Sequence, residues 1–205
     1  MSVFQKLAPY RIIRGFLGEE LVEQLLAYVQ DSQDGFEPTR VGSGENARMD
    51  PEIRTSVVLP RLGPLKKALI SRFDAVSDWA MEDMKLSPLS VKLQEVELVA
   101  HGDGAFYSRH IDTQMQNPDS SRLRVLTAVY YFHASPKRFS GGELRLHSFL
   151  LPEHGGHYQD IEPERDMLLL FPSWAPHEVR PISCPSGAFA DHRFAINCWY
   201  HATGA

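Results

Sequence analysis

The chain has 205 residues, of which 43% are hydrophobic and 23% charged, with a formal net charge of -5 at pH 7. These values fit one soluble globular domain over 1–205, and an acidic balance without a basic run argues against direct nucleic-acid binding, though not against a nucleic-acid-associated protein as substrate. No apolar run has the length to span a bilayer, residues 1–6 lack the apolar stretch of a signal peptide, and Cys184 and Cys198 suggest reduced thiols rather than a disulfide framework. A cytoplasmic location with no membrane partner is therefore expected.

A short strand is expected over 10–14, followed by a bend at Gly15 to Gly18. The apolar stripe Leu21, Val22, Leu25, Leu26 and Val29, with acids in its first turn, predicts a helix over 19–33 packed on a sheet. Residues 34–50 hold the breakers Gly35, Pro38, Gly42, Ser43, Gly44 and Asn46 and read as a loop. Residues 53–59 predict a strand. Pro64 suits a first helical turn, and Leu65, Ala68, Leu69, Phe73, Val76 and Ala80 predict a helix over 64–81. After Pro88 the pattern changes to strands separated by Gly and Pro turns, and it holds to Trp199 without a helical stripe. The division is a helical support region over 1–88 and a strand-rich core over 89–201. Strands that follow two helices read as an α+β domain whose β part is a sandwich or jelly roll. No internal repeat or low-complexity segment is present.

The strand-rich half carries the chemistry. Residues two apart on a strand share a face, so His110 and Asp112 point together while Ile111 points into packing; helix-face neighbours are three or four apart. With a distant His177 they form a two-histidine, one-carboxylate set, the facial arrangement that suits non-heme Fe(II) and leaves positions open for ligands. The competing reading of the bare triplet is a surface imidazole beside a solvated Asp, since a chain with nine His contains such pairs by chance. Parity extends the site. Thr127, Val129 and Tyr131 share one face of their strand, as do Arg193, Ala195, Asn197 and Trp199 of theirs, while Phe194, Ile196, Cys198 and Tyr200 face the helices. A buried Arg193 cannot shed its charge and needs an anionic partner. His133, His147, His154, His157, His192 and His201 lack this context and read as ordinary, and Gly141-Gly142 reads as a tight turn or close backbone approach.

The segment Val99-Ala100-His101-Gly102-Asp103-Gly104-Ala105-Phe106-Tyr107-Ser108-Arg109-His110-Ile111-Asp112 resembles the iron-binding segment of prolyl hydroxylases, in the Fe(II)/2-oxoglutarate-dependent dioxygenase superfamily. The resemblance continues through Leu126-Thr127-Ala128-Val129-Tyr130-Tyr131-Phe132, Ser140-Gly141-Gly142-Glu143-Leu144, Leu169-Leu170-Phe171-Pro172-Ser173 with His177-Glu178-Val179, and Arg193 to Tyr200. Arg54-Thr55-Ser56 is similar to a tripeptide that precedes the catalytic core in several prolyl 4-hydroxylases. The resemblance implies a double-stranded β-helix (jelly roll) core with N-terminal helices packed on one sheet. It also implies Fe(II) on His110, Asp112 and His177, with 2-oxoglutarate and O2 as cosubstrates and ascorbate as a further candidate. By position Arg193 would bind the distal carboxylate of 2-oxoglutarate, Thr127 and Tyr131 would donate hydrogen bonds to the cosubstrate, and Tyr107 would line the pocket near the metal. Asn197 is placed near the metal by parity. His101 stands where some relatives carry a Tyr that contacts the cosubstrate, which leaves a cosubstrate contact and a structural histidine both open.

The gap between His177 and Arg193 is longer than is usual in that family, so residues 180–192 are expected to form a longer turn near the pocket mouth. Arg180 is a nearer rival to Arg193 but lacks the strand block that follows. The implied reaction is hydroxylation of a C–H bond, with a proline-containing peptide or protein as first candidate partner and residues 34–50 and 180–192 as candidate walls. Two alternatives stand beside it. One is a free amino acid or small metabolite, held by Arg124 or Arg145 as a second charged anchor; the other is a metal-binding sensor or structural jelly roll without turnover.

Overall fold

Residues 2–42, 48–86, 90–113 and 123–203 are described by the structure, a computed structural model. In chain order its strands are β1 (Arg11–Arg14), β2 (Glu37–Pro38), β3 (Arg54–Thr55), β4 (Val57–Leu59), β5 (Val91–His101), β6 (Phe106–His110) and β7 (Arg124–Phe132). They continue with β8 (Ser140–Gly141), β9 (Leu144–His147), β10 (Tyr158–Ile161), β11 (Met167–Pro172), β12 (His177–Val179), β13 (Ile182–Ser183) and β14 (Arg193–Ala202). The helices are α1 (Glu19–Asp31), α2 (Lys66–Asp74) and α3 (Ser77–Asp83).

A seven-stranded sheet in the order β1-β11-β7-β14-β5-β4-β2 packs on a five-stranded sheet in the order β10-β9-β12-β6-β3, and the paired strands are antiparallel. This is the jelly-roll core. The large sheet is covered on both faces, so its central strands β7, β11 and β14 are buried along almost their whole length. On one face Phe194, Ile196, Cys198 and Tyr200 pack with Leu25 and Val29 of α1 and Leu69 and Phe73 of α2. On the other, Val129, Tyr131, Leu169 and Phe171 meet Leu144 and Leu146 of the small sheet. Burying each such aliphatic or aromatic side chain contributes about 1.5–3 kcal/mol. The start of α1 is tied to the sheet by the buried Asp166, whose carboxylate accepts from the Leu17 and Gly18 amides (2.8 and 2.9 Å) and from the Tyr130 hydroxyl (2.8 Å).

Several expectations change in detail. The helix expected over 64–81 is broken into a 3-10 turn at Gly63–Leu65 followed by α2 and α3. The chain tightens where the Val76 amide donates to Phe73, and the Ser77 hydroxyl takes the Asp74 carbonyl (2.9 Å), which re-aims α3. The strand expected over 53–59 is two strands in two sheets, because β3 pairs with β6 and β4 with β5, so the chain changes sheet at Ser56. α1 stops at Asp31, and the loop expected over 34–50 contains β2 and an isolated bridge between Val41 and Arg48. Ser43, Gly44 and Asn46 of that loop, and Pro88, lie outside the described residues. The first 88 residues also supply β1 to β4, which extend both sheets.

Candidate metal centre and cosubstrate pocket

β12 runs antiparallel to β6 with His177 directly opposite His110, so two histidines that are distant in sequence become cross-strand neighbours. Their ring centroids are 4.2 Å apart. β6 ends at His110, and Asp112 lies just past that end rather than on the strand. It is held there by its own amide, which donates to the Ser173 carbonyl (2.9 Å), as does the Thr113 amide (3.0 Å). Asp112 Oδ1 is 3.6 Å from His110 Nε2 and Oδ2 is 3.6 Å from His177 Nε2, and one ligand atom from each residue lies within 4.8 Å of the others. Both Nδ1 atoms face backbone carbonyls, Ser108 for His110 (2.8 Å) and Ala175 for His177 (2.9 Å). A carbonyl can only accept, so each Nδ1 carries the proton and each Nε2 lone pair is left for a metal.

Burial pushes the His177 imidazole down to about 4, assisted by His110, so it is neutral at physiological pH as a metal ligand must be. Burial alone would raise the Asp112 carboxyl, but His177, His110 and the Thr127 hydroxyl outweigh it and hold the group well below the usual carboxylate range. The donor set of two imidazole nitrogens and one carboxylate oxygen fits Fe(II). Tyr107 stacks on His110 at 3.7 Å between centroids, and Phe171 packs against the His177 ring.

Deeper in the same cavity lies Arg193, fully buried at the start of β14. Its Nη1 donates to the Gly142 carbonyl (2.6 Å). That approach needs a glycine, because a Cβ on Gly142, at φ +75°, would stand 3.3 Å from Arg193 Cδ and 2.6 Å from Ile182. Among the described residues Arg193 Nε has no partner, and no ion pair includes this guanidinium. Nε and Nη2 share one edge of the group, so the edge left over has the fork shape that receives a carboxylate in two parallel bonds. Tyr131, whose hydroxyl is also buried without a partner and is pushed up to about 12 by that burial, lines the same cavity. An anionic group with several acceptor oxygens would satisfy all three atoms.

The sequence-derived set is thus gathered around one cavity: His110, Asp112, His177, Arg193, Tyr131, Thr127, Tyr107, His101 and Asn197 all line it. Thr127 has a different task from the one expected. Its Oγ1 donates to Asp112 Oδ2 (2.8 Å) and lies 2.9 Å from Ser173 Oγ. One hydroxyl carries one proton, and in this structure Thr127 gives it to the Asp112 carboxylate. Arg124 is paired with Glu95 and Arg145 with Asp160, and neither lines the cavity. Arg180 is paired with Glu178 and stands outside as well. No residue of 34–50 or 180–192 lines the cavity among the described residues. Instead the insert closes behind Arg193, with Ile182 against Gly142, His192 against Gly102, and Phe189 against Phe36 and Phe194. Arg54, singled out in sequence only through its tripeptide, does line the cavity, with its Cζ 4.9 Å from the Tyr107 ring centroid and its Nε donating to Ser56 Oγ (3.0 Å).

A jelly roll holding two imidazoles, a carboxylate and a buried unpaired cation in one cavity defines a non-heme iron oxygenase type of site. Comparison with known proteins narrows it. The model of the 2OG-Fe(II) oxygenase superfamily matches residues 96–201, and the chain belongs to that superfamily, whose cofactors are Fe(II), 2-oxoglutarate and O2. The chain is 30% identical over 194 residues to an uncharacterized PKHD-type hydroxylase of Synechocystis sp., covering 93% of this chain and 62% of that protein. It is 38% identical over 104 residues to Egl nine homolog 1 of Homo sapiens, covering 48% of this chain and 20% of that one. Among solved structures, a Pseudomonas putida prolyl-4-hydroxylase matches with a TM-score of 0.66 and 24% identity, over 96% of this chain and 94% of that chain. A Trichoplax adhaerens prolyl hydroxylase, solved with a hypoxia inducible factor peptide fragment, matches with a TM-score of 0.64 and 25% identity, over 94% and 83%. Within that superfamily the chain is thus similar to prolyl hydroxylases. Among the described residues, no helix is long and apolar enough to cross a membrane.

Proposed function

We propose that this chain is an Fe(II)- and 2-oxoglutarate-dependent dioxygenase that hydroxylates a C–H bond of a peptidyl proline. The observation that carries the reading is the unpaired, buried edge of Arg193 in the cavity of the His110, Asp112 and His177 set. A buried guanidinium without an anion costs several kcal/mol, and a sensor or purely structural jelly roll has no need of one. When bound, the iron with 2-oxoglutarate and O2 supplies the oxidising chemistry, yielding succinate, CO2 and a hydroxylated substrate. The chain supplies placement. Ser108 and Ala175 fix the two imidazole tautomers, Thr127 and Ser173 fix the carboxylate, and Arg193 with the Tyr131 hydroxyl receives the distal carboxylate of the cosubstrate.

The peptide assignment has its own support. In the cavity wall Trp199 Nε1 is a buried donor with no partner among the described residues, and Glu97 Oε2, 3.7 Å from the cavity residue Arg54, is a buried acceptor with no hydrogen bond among them. An N–H donor, a cation and an acceptor near one another suit the C=O and N–H of a peptide backbone. The likeness to prolyl hydroxylases, one of them solved with a peptide, points the same way. Arg54 favours a second reading, a free amino acid whose carboxylate it would hold, now that Arg124 and Arg145 are both committed elsewhere.

Anaerobic titration of the protein with Fe(II) and 2-oxoglutarate tests the reading. A weak visible charge-transfer band is expected, absent in Arg193→Ala, and succinate is released when O2 is admitted. Capped proline peptides should raise succinate release well above free proline and other amino acids, and the reverse order would replace the peptide reading with the metabolite one. Metal binding with neither band nor succinate would leave a metal sensor.

A further inference from the structure

We propose that His101 is a positioning residue whose ring face receives Arg193 Nη2 and fixes the plane of the guanidinium, so that the Nε/Nη2 edge meets the cosubstrate. This rests on reading Arg193 as the 2-oxoglutarate anchor. β14 lies between β5 and β7, with Arg193 directly opposite His101 on one side and Ala195, two residues on and on the same face, opposite Tyr131 on the other. The two rings therefore reach the guanidinium from opposite neighbouring strands.

The distances decide how His101 makes contact. Arg193 Nη2 is 3.3 Å from His101 Nδ1 and 3.4 Å from Nε2. Those two ring nitrogens flank Cε1, so an in-plane nitrogen nearly equidistant from both would press on Cε1 well inside van der Waals contact. Only an approach over the ring face meets both distances. The contact is a cationic N–H lying over the imidazole face and shared between its two nitrogens, and the second Nη2 hydrogen and the Nε hydrogen stay available to a carboxylate. On the Tyr131 side, Arg193 Cζ is 5.2 Å from the phenol centroid. With Nη1 bound to Gly142, the group is held by two rings and one carbonyl.

A cation rests well only against the face of a neutral ring. Burial, and then the charge of Arg193 itself, hold His101 well below the ordinary imidazole value. Fixing the plane places the carboxylate receptor at one distance from the metal set. A dicarboxylate of matching length is then favoured over one a methylene longer.

The test measures cosubstrate binding by calorimetry on protein loaded with Mn(II) under anaerobic conditions, so no turnover enters. His101→Phe, which keeps a flat ring but no nitrogen, should bind 2-oxoglutarate within about threefold of the unsubstituted protein, while His101→Gln and His101→Ala should lose about thirtyfold, the size of a desolvated cation–ring contact. The Gln and Ala variants should also narrow the preference for 2-oxoglutarate over 2-oxoadipate, which a merely structural role would not change. Retained affinity in His101→Gln with loss in His101→Phe would overturn the ring-face contact in favour of a bond to one ring nitrogen, and unchanged affinity in all three would remove His101 from the site. Arg193→Ala separates the two levels. If it still binds 2-oxoglutarate normally, the anchor reading fails; if it alone loses binding, only the His101 role fails.

Discussion

The two faces of the seven-stranded sheet are built from the same strands and are almost equally buried, yet they treat polar atoms differently. Facing the helices, the Tyr130 hydroxyl donates to Asp166 and the Tyr200 hydroxyl to the Phe73 carbonyl, both at 2.8 Å. Facing the cavity, the Tyr131 hydroxyl, Arg193 Nε and Trp199 Nε1 have no partner among the described residues. Buried polar groups are almost always paired, so a cluster that is not marks the place of a ligand. One face is finished by folding; the other is finished by binding.

The sharpest break between binding and folding is Asp112→Ala, which should abolish metal retention and turnover while leaving circular dichroism and the melting profile those of a folded protein. A variant that turned over at the normal rate would refute the metal assignment. On the helix side, Phe194→Ala should cost about 3–5 kcal/mol of unfolding free energy in denaturant titrations, with the affinity of the remaining folded protein for 2-oxoglutarate unchanged. Phe194 is fully buried between Phe132 and Phe189. Thr127→Val keeps the side-chain shape and removes the donor to Asp112, and metal affinity measured by competition with a chelator should fall about 10- to 100-fold. The smallest effects sharpen the comparison most. Tyr200→Phe should cost about 1 kcal/mol because it removes the shorter of the hydrogen bonds to the Phe73 carbonyl, whereas Tyr131→Phe should cost no stability in ligand-free protein and instead weaken 2-oxoglutarate binding roughly tenfold. Equal stability losses in the two tyrosine variants would refute the division between the faces.

Much of this arrangement was legible in the residue order, because strand parity is a rigid rule. Arg193, Asn197 and Trp199 fall on the cavity side, and Phe194, Ile196, Cys198 and Tyr200 on the helix side, as their alternation requires. What escaped were features set by tertiary hydrogen bonds. The stripe Leu69, Phe73 and Ala80 fits one helix or two, and the choice rests on Ser77 capturing the Asp74 carbonyl. Asp112 shares a direction with His110 although β6 has already ended, because the Ser173 carbonyl holds it there. The task of Thr127 was hidden for the same reason, since the proton it carries is claimed by a residue 15 positions away. Arg54 became a cavity residue only when the chain changed sheet at Ser56, a crossing that no local pattern announces.

Ser173 has a wider consequence. Its amide donates to Val125 of the large sheet, its carbonyl receives Asp112 and Thr113 beyond the end of β6, and its hydroxyl meets Thr127. Of the three residues proposed to hold the metal, Asp112 is thereby tied to both layers of the sandwich, while His110 and His177 belong to the small sheet. A metal drawn to all three acts as a rivet through the two layers, so loading it should stiffen the barrel mouth as well as arm it. At a hundredfold excess over its dissociation constant the ion would add about 2.7 kcal/mol to the folded state. Slowed amide hydrogen exchange should then spread across β6, β7 and β12 together.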